Sequence, residues 1–196
     1  MNKDKEKYDI LHKNNKYGKN LTRIDQMLES RDFFSILIKK ALGHSKSLLD
    51  VGCSKGWFLQ RMAKYFPHLK LTGIDIAEFE SEIPYTIADV CDLPFEDKAF
   101  DMVSFQDGME HIRKEYENKA MLEMCRVANQ FIYHTISMVP TDDDQRFIDM
   151  GMGPLHINIK PIWAWIRFYR TCEKFKIIGI STTEAFFHVI LKRIEQ

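Results

Sequence analysis

Three features are scarce in this 196-residue chain, and each scarcity excludes a class of protein. The chain has 28 basic and 28 acidic residues, so it lacks the overall positive charge of a typical nucleic-acid-binding protein. It has only four cysteines and no Cys-x-x-Cys pair, which argues against a structural zinc site or a disulfide-rich fold. No apolar run approaches the ~20 residues that cross a bilayer, and the first residues do not resemble a secretory signal. We therefore expect a reduced, cytoplasmic protein without a membrane-spanning segment.

The composition is that of a globular domain, with 45% hydrophobic and 12% aromatic residues. A chain of this length buries roughly 70% of its extended surface, which is enough for one core. Residues 1–46 are expected to form an N-terminal arm and helix outside the core domain. Its first twenty residues are rich in lysine and form either a solvated tail or a lid. Helical spacing of apolar residues predicts one helix from Thr22 to Leu42. The core domain is expected to occupy residues 47–196.

The most informative stretch runs from Leu48 to Leu59 and reads Leu-Leu-Asp-Val-Gly-Cys-Ser-Lys-Gly-Trp-Phe-Leu. A buried strand, a glycine-spaced turn and an amphipathic helix follow one another, which is typical of a ligand site at a helix N-terminus. A side chain at Gly52 or Gly56 would block close approach or strain the turn. The next strand ends at Asp75, whose carboxylate can accept hydrogen bonds from both hydroxyls of a ribose.

Two ligand classes fit this turn poorly. The dinucleotide fingerprint Gly-x-Gly-x-x-Gly, counted from Gly52, has Ser54 and Trp57 where glycines are needed. The Gly-x-Ser-x-Gly elbow of α/β-hydrolases is present around Ser54. That fold places several strands before the elbow, and the chain has no His-Gly-Gly run for an oxyanion hole.

A third class fits better. The pattern Asp50-x-Gly52-x-Ser54-x-Gly56, with Asp75 after the second strand, resembles the cofactor site of class I S-adenosylmethionine-dependent methyltransferases. The similarity covers residues 47–136 and includes Ile-Ala-Asp-Val at 87–90 and Phe-Asp-Met-Val at 100–103. The family usually has glycine in place of Ser54. A serine can be accommodated there if its φ is negative, and its hydroxyl can then hydrogen-bond the methionine end of the cofactor.

The resemblance implies S-adenosylmethionine as cofactor and assigns roles to single residues. Asp50 would lie near the cofactor ammonium, Asp75 would bind the ribose diol, and Asp89 would meet the adenine amino group. Backbone N–H groups at the start of the following helix suit the carboxylate. The full set of predicted cofactor-binding residues is Asp50, Gly52, Ser54, Gly56, Asp75, Ile76, Asp89, Val90 and Gln106.

Strands and helices alternate along the core domain and end in a hairpin. This order predicts an α/β fold, namely a doubly wound, mostly parallel seven-stranded sheet with helices on both faces and a C-terminal antiparallel hairpin. The predicted strands are near 47–51, 70–75, 84–88, 100–105, 130–137, 176–180 and 185–193. The predicted helices are near 57–66, 76–82, 113–127 and 161–175.

The segment from Ser137 to Lys160 breaks this alternation, because it has no sustained periodicity. A loop of that length in a compact domain is usually a lid or a binding element. A short helix is expected around Gln145–Met150. We expect this loop, with the N-terminal arm, to select the substrate.

Glu110, His111 and His156 are the candidate catalytic residues. Methyl transfer is an in-line displacement in which the enzyme orients two partners, and an oxygen or nitrogen acceptor can also need a base. His111 follows the fourth strand in a Glu-His pair that resembles many small-molecule methyltransferases. The alternatives are that His111 only caps a helix and that His156 only anchors its loop.

The same region suggests a metal site. Asp107, Glu110 and His111 are spaced i, i+3 and i+4, and with His156 they could bind a divalent ion that holds a vicinal diol or catechol-like acceptor. The spacing resembles the acid-x-x-Glu-His motif of small-RNA 3′-end and quinone-biosynthesis O-methyltransferases. The first acid is Asp instead of Glu, and Gly108 disfavours a regular helix. We therefore expect activity without added metal.

Together these features predict a methyltransferase that acts on an oxygen or nitrogen of a small molecule. Two alternatives remain open. One is a catalytically silent cofactor-binding module that regulates a partner, and the other is a methyltransferase acting on RNA or protein. The sequence determines neither the acceptor nor the oligomeric state.

Overall fold

A seven-stranded sheet forms the centre of the computed structural model, which describes residues 2–13, 21–78, 83–141 and 143–194. The strands are β1 (Ser47–Val51), β2 (Lys70–Asp75), β3 (Tyr85–Ile87), β4 (Phe100–Gln106), β5 (Ala128–Ser137), β6 (Phe175–Thr182) and β7 (Phe186–Arg193). The helices are α1 (Asn2–Lys13), α2 (Leu21–Glu29), α3 (Phe33–His44), α4 (Trp57–Tyr65), α5 (Glu117–Val127), α6 (Asp143–Asp149) and α7 (Ile162–Arg170), with a 3-10 helix η1 (Met109–His111).

The strand order is β3-β2-β1-β4-β5-β7-β6. β1 to β5 pair in parallel, and β7 lies antiparallel between β5 and β6. The predicted fold class is therefore confirmed. Because β2 and β4 flank β1, the chain reverses its winding direction at β1. In such sheets, ligands bind beyond the carboxyl ends of the strands at this point.

Each face of the sheet carries its own apolar core, because neighbouring strand residues point to opposite faces. Leu48 packs with the residues of α2, α3 and α4, whereas Leu49 packs with those of α5 and α7. On β4, Met102 packs in the same core as Leu48, and Val103 packs in the same core as Leu49. Trp165 and Tyr169 of α7 are fully buried, as their spacing predicts.

The single helix predicted from Thr22 to Leu42 is wrong, because the structure has α2 and α3 in that region. Asp32 separates them and caps α3 by accepting a hydrogen bond from the Ser35 backbone N–H at 2.9 Å. An aspartate at this position satisfies a backbone donor that a helix start would otherwise leave unpaired.

Other helix bounds differ from the predictions. Residues 76–78 are not helical, and 79–82 of that predicted helix lie outside the described residues. α5 begins four residues later than predicted, after η1, and α7 ends at Arg170. The short helix predicted near residue 145 is present as α6. In the parts of the chain that the structure describes, no helix is long and apolar enough to span a membrane.

Candidate active site

A cavity of about 770 Å³ lies beyond the carboxyl ends of β1, β2 and β4. Eleven of the twelve predicted site residues line it, namely Asp50, Gly52, Ser54, Asp75, Ile76, Asp89, Val90, Gln106, Glu110, His111 and His156. Gly56 is the exception. One cavity therefore contains both the predicted cofactor-binding residues and the predicted catalytic residues.

The two glycines of the turn have different structural roles. Both have positive φ, +63° at Gly52 and +77° at Gly56. A Cβ on Gly52 would lie 3.0 Å from the Phe105 ring, which forms part of the cavity wall. Gly56 is the N-cap of α4, and a Cβ there would lie 3.1 Å from Ile83. Gly52 thus keeps space at the cavity, whereas Gly56 allows the turn to enter the helix.

Ser54 does not have the negative φ expected from the sequence; its φ is +48°. Its backbone N–H donates to Oδ2 of Asp75 at 2.9 Å, so the turn is tied to the end of β2 in this conformation. The Oγ atom of Ser54 is buried at the cavity and has no hydrogen-bond partner among the described residues. The serine hydroxyl is therefore placed to meet a polar ligand group.

Two carboxyl groups beneath this turn are almost fully buried. Oδ1 of Asp50 accepts a hydrogen bond from Oγ of Ser104 at 2.7 Å, and burial raises the Asp50 pKa to about 7. Oδ1 of Asp75 accepts from the Ala77 backbone N–H at 3.0 Å, and burial likewise raises the pKa of Asp75. Burial disfavours the charged form of a carboxylate, so a cation in the cavity would stabilise these groups when ionised.

On the adenine side of the predicted site, a backbone N–H group also holds a carboxylate in place. Oδ1 of Asp89 accepts from the Cys91 backbone N–H at 2.8 Å, which orients the carboxylate at the cavity wall. Nε2 of Gln106 lies at the opposite side of the turn, at the end of β4. This atom is buried without a hydrogen-bond partner among the described residues.

Glu110, His111 and His156 come together at the other end of the cavity. Each offers a ligand atom, and these atoms lie within 4.8 Å of one another. The two imidazole rings meet edge-on, with centroids 4.8 Å apart. Nδ1 of His111 lies 3.0 Å from the Leu155 carbonyl, and Nδ1 of His156 lies 2.6 Å from the Val139 carbonyl. A carbonyl only accepts, so Nδ1 carries a proton in both rings. In a neutral ring of this tautomer, Nε2 carries the lone pair.

Electrostatics keep His111 neutral. Burial, together with the nearby His156, lowers the pKa of His111 to about 4. Oε1 of Glu110 accepts from the Ser137 backbone N–H at 2.7 Å, which fixes the carboxylate between β5 and η1. The neutral ring can accept a proton at Nε2, but a pKa of about 4 makes it a weaker base than an imidazole whose pKa lies near the operating pH, where general-base catalysis is most efficient.

Asp107 does not join this group, so the four-residue set that the spacing suggested as an alternative does not form among the described residues. The helical spacing requires one continuous turn, but η1 begins only at Met109 and Asp107 has a φ of +48°. The Asp107 carboxylate instead accepts from Oγ1 of Thr135 at 2.6 Å.

Comparison with known proteins agrees with this geometry. Residues 49–130 match the methyltransferase domain family. Ajmaline N-methyltransferase of Rauvolfia serpentina is 30% identical in an alignment of 97 residues that covers 42% of this chain and 32% of that protein. The chain therefore matches about a third of the length of this curated relative.

Solved structures show the same fold. The PH0226 protein of Pyrococcus horikoshii OT3 aligns with a TM-score of 0.68 at 18% identity, over 91% of this chain and 93% of that one. A SAM-dependent methyltransferase of Aquifex aeolicus aligns with a TM-score of 0.57 at 16% identity, over 89% and 97%. The [4+2]-cyclase SpnF aligns with a TM-score of 0.61 at 13% identity, over 81% and 80%.

The match to a methyltransferase domain covers less than half of the chain, and the solved structures share the fold of the chain as a whole. S-adenosylmethionine is the cofactor of this domain class, so the cofactor prediction is confirmed. The residues present suit that group: Gly52 leaves space at the cavity, and Ser54 and Gln106 bring buried polar atoms that a ligand can satisfy. The roles assigned to single residues stay predictions.

Two residues of α1 that no sequence motif indicated also lie at or next to the cavity. Tyr8 of α1 lines the cavity and packs edge-on against His111, with ring centroids 5.7 Å apart. The buried Lys7 donates to the Pro154 carbonyl at 3.0 Å, so α1 is attached to the loop that carries His156. No local sequence motif predicts this packing of α1 against the cavity. The apolar residues between its lysines were the only signal for it.

Proposed function

We propose that this chain is an S-adenosylmethionine-dependent methyltransferase that methylates an oxygen or nitrogen of a small molecule. The observation that carries the proposal is a single cavity that joins two sets of residues. The Asp50–Asp75 end suits the cofactor, and the other end offers the neutral His111 imidazole beside Glu110 and His156 for an acceptor.

At the cofactor end, Asp50 would contact the ammonium and Asp75 the ribose diol. A carboxylate offers about four acceptor sites, so Asp75 can accept ligand hydroxyls besides the N–H groups of Ser54 and Ala77. Asp89 would accept from the adenine amino group. When bound, the cofactor supplies an electrophilic methyl group on a sulfonium.

At the acceptor end, His111 is the proposed base. Its Nε2 lone pair would take the proton from the acceptor hydroxyl or amine, whose lone pair would then be free to form the bond to the methyl carbon. The methyl–sulfur bond would break in the same step and leave its electron pair on the neutral thioether. Glu110 and His156 orient the acceptor beside His111. A general base of this kind typically contributes ~10²–10⁴-fold to the rate.

Two observations support a small acceptor. α1 covers the acceptor end, with Tyr8 on His111 and Lys7 bonded to the His156 loop. The balanced charge of the chain does not favour a nucleic-acid acceptor. We also propose a cytoplasmic location, which is supported by the free thiols of all four cysteines.

One observation favours the alternative of a silent cofactor-binding module. Ser54 has positive φ at a position where the family usually has glycine, and a side chain at that position is compatible with a domain that only binds. This alternative predicts cofactor binding without methyl transfer.

Incubation of cell extract with the protein and cofactor radiolabelled on the methyl group separates the two functions. We expect a labelled low-molecular-weight product with the wild type and with His44→Gln, a substitution of an exposed histidine on α3. Little or no product should form with Asp75→Ala or His111→Ala. A folded, cofactor-loaded wild type that labels nothing would support the silent module.

A further inference from the structure

Two of the four cysteines lie against each other at the end of the sheet opposite the cavity. Cys125 is in the last turn of α5, and Cys172 is in the turn between α7 and β6. Their thiols are hydrogen-bonded to each other. We infer that Cys125 and Cys172 form a reversible disulfide on oxidation, so that this pair is a modification site outside the proposed active site.

The sheet topology brings the two cysteines to the same place. β5 and β6 are both antiparallel to β7, so both begin at the same end of the sheet. Cys125 precedes the first residue of β5 by three positions, and Cys172 precedes that of β6 by three positions. β5 is parallel to β4, whose carboxyl end lies at the cavity. The cysteine pair is therefore separated from the cavity by the length of the strands.

Arg193, the last residue of β7, holds the backbones of both cysteine segments. Its Nη2 atom donates to the Cys125 carbonyl at 2.7 Å, and its Cζ atom lies 4.5 Å from the centroid of the Phe175 ring. The Phe175 backbone N–H in turn donates to the Cys172 carbonyl at 3.0 Å. A disulfide forms without strain only where the backbones of the two cysteines are already close. These contacts keep the two backbones in place.

The two thiols differ in exposure and in acidity. Cys125 is buried, whereas Cys172 is half-buried. The hydrogen bond from the Cys125 thiol lowers the pKa of Cys172. The same hydrogen bond, together with burial, raises the pKa of Cys125. Because the thiolate is the reactive form of cysteine, Cys172 should react with an oxidant first. Cys125 is then the resolving thiol.

Hydrogen peroxide is an oxidant with which the reaction balances. The Cys172 thiolate attacks one peroxide oxygen, the O–O bond breaks, and a sulfenic acid and a hydroxide ion form. Cys125 loses its proton, and its sulfur attacks the sulfenic sulfur and displaces a second hydroxide. The two hydroxides take up the two thiol protons and leave as water. The two thiols lose two electrons, which the peroxide gains.

Peptide mapping by mass spectrometry of the full chain, after treatment with one equivalent of hydrogen peroxide, tests the inference. Trypsin should release Cys125 in peptide 120–126 and Cys172 in peptide 171–174. We expect a species with the summed mass of these peptides minus two hydrogens, which disappears on reduction. Thiols titrated in the denatured protein should fall from four to two. Cys125→Ser should form no linked peptide. Cys91→Ser, which also removes a half-buried thiol, is the matched control and should still form it.

A second measurement identifies the thiol that reacts first. Dimedone traps sulfenic acids, so it should label Cys172 in the Cys125→Ser variant after peroxide treatment. It should leave Cys125 unlabelled in the Cys172→Ser variant. The oxidised wild type should also unfold at a higher urea concentration than the reduced protein, because the disulfide closes a long loop.

Three results would overturn the inference. One is that all four thiols persist after peroxide treatment, and another is a linkage between other cysteines. The third is oxidation of Cys172 to sulfinic acid without a linked peptide. Because the mapping uses the wild-type chain, its outcome depends neither on the folding of a variant nor on whether the chain transfers methyl groups.

Discussion

The backbone N–H of Ser54 donates a hydrogen bond to Oδ2 of Asp75, over 2.9 Å. This bond connects the turn after β1 to the end of β2, which are separate segments in the sequence. The same carboxylate is the proposed ligand for the ribose diol. Cofactor binding and the conformation of the turn are therefore linked through one side chain.

Asp75→Ala should weaken cofactor binding by about ten- to a hundredfold. The substitution removes charge-assisted hydrogen bonds, which typically contribute ~1.5–3 kcal/mol. Equilibrium dialysis with labelled S-adenosylhomocysteine measures the effect, and the exposed Asp149→Ala serves as control. An Asp75→Ala variant that is folded and binds like the wild type would show that this carboxylate does not contact the cofactor.

Ser54→Gly should increase the free energy of unfolding by about 1 kcal/mol. A side chain in the left-handed region costs ~1–2 kcal/mol, part of which the greater chain entropy of unfolded glycine offsets. The substitution also removes a buried hydroxyl that has no partner among the described residues. Urea unfolding measures the change in the free energy of unfolding. Gly52→Ala serves as the comparison, because adding a side chain at this positive φ should destabilise the protein. A loss of stability in Ser54→Gly would mean that the hydroxyl has a stabilising contact in the free protein.

Cofactor affinity should fall as the pH is lowered through about 7. Burial raises the pKa of Asp50 to about 7 in the free protein, so below this pH the carboxyl group is mainly protonated. A cationic ligand prefers the ionised form, and a proton must then be lost on binding, which weakens affinity by up to ~10-fold per pH unit. Calorimetry from roughly pH 5 to pH 8 tests this expectation. The Asp50→Asn variant should bind the cofactor more weakly, and its affinity should no longer depend on pH in this range. If affinity changes equally with pH in wild type and variant, another group causes the pH dependence.

His111→Ala and His156→Ala should separate the chemical step from acceptor binding. Removal of the base should lower the single-turnover rate ~10²–10⁴-fold with little change in cofactor affinity. His156 lies on the loop, so its loss should mainly weaken acceptor affinity. A wild-type rate in His111→Ala combined with an inactive His156→Ala would reverse the two assignments.

Removal of metal should not reduce activity. The proposed base uses the Nε2 lone pair of His111, which a bound ion would occupy. Dialysis against a strong chelator, followed by assay with and without Zn²⁺, Mn²⁺ or Mg²⁺, gives the answer. Activity that disappears on chelation and returns with one of these ions would replace the base mechanism by metal-assisted transfer.

The sequence predicted the parts of the site that depend on strand ends. Asp50 and Asp75 belong to strands with clear apolar patterns, and the carboxyl ends of parallel strands meet at one edge of the sheet. The turn between them needs glycine at defined positions, so Gly52 was recognisable without a structure. Each of these features can be recognised within a short stretch of sequence. The parallel sheet then places them next to one another.

Other parts of the site depend on contacts that no local pattern records. The intrinsic preference of serine for negative φ suggested the wrong conformation at Ser54, because the bond to Asp75 overrides it. Asp107 likewise departs from the predicted helical turn, in a left-handed conformation that aspartate tolerates better than most residues. The contact between Tyr8 and His111 joins residues about a hundred positions apart, and only tertiary packing determines it.

Calorimetric titration of the wild-type protein with S-adenosylmethionine, beside a matched titration with NAD, tests the central claim most directly. We expect one saturable S-adenosylmethionine site per chain and no comparable binding of NAD, since Ser54 and Trp57 replace two glycines of the dinucleotide fingerprint. Absence of S-adenosylmethionine binding by the folded protein, or tighter binding of NAD, would contradict it.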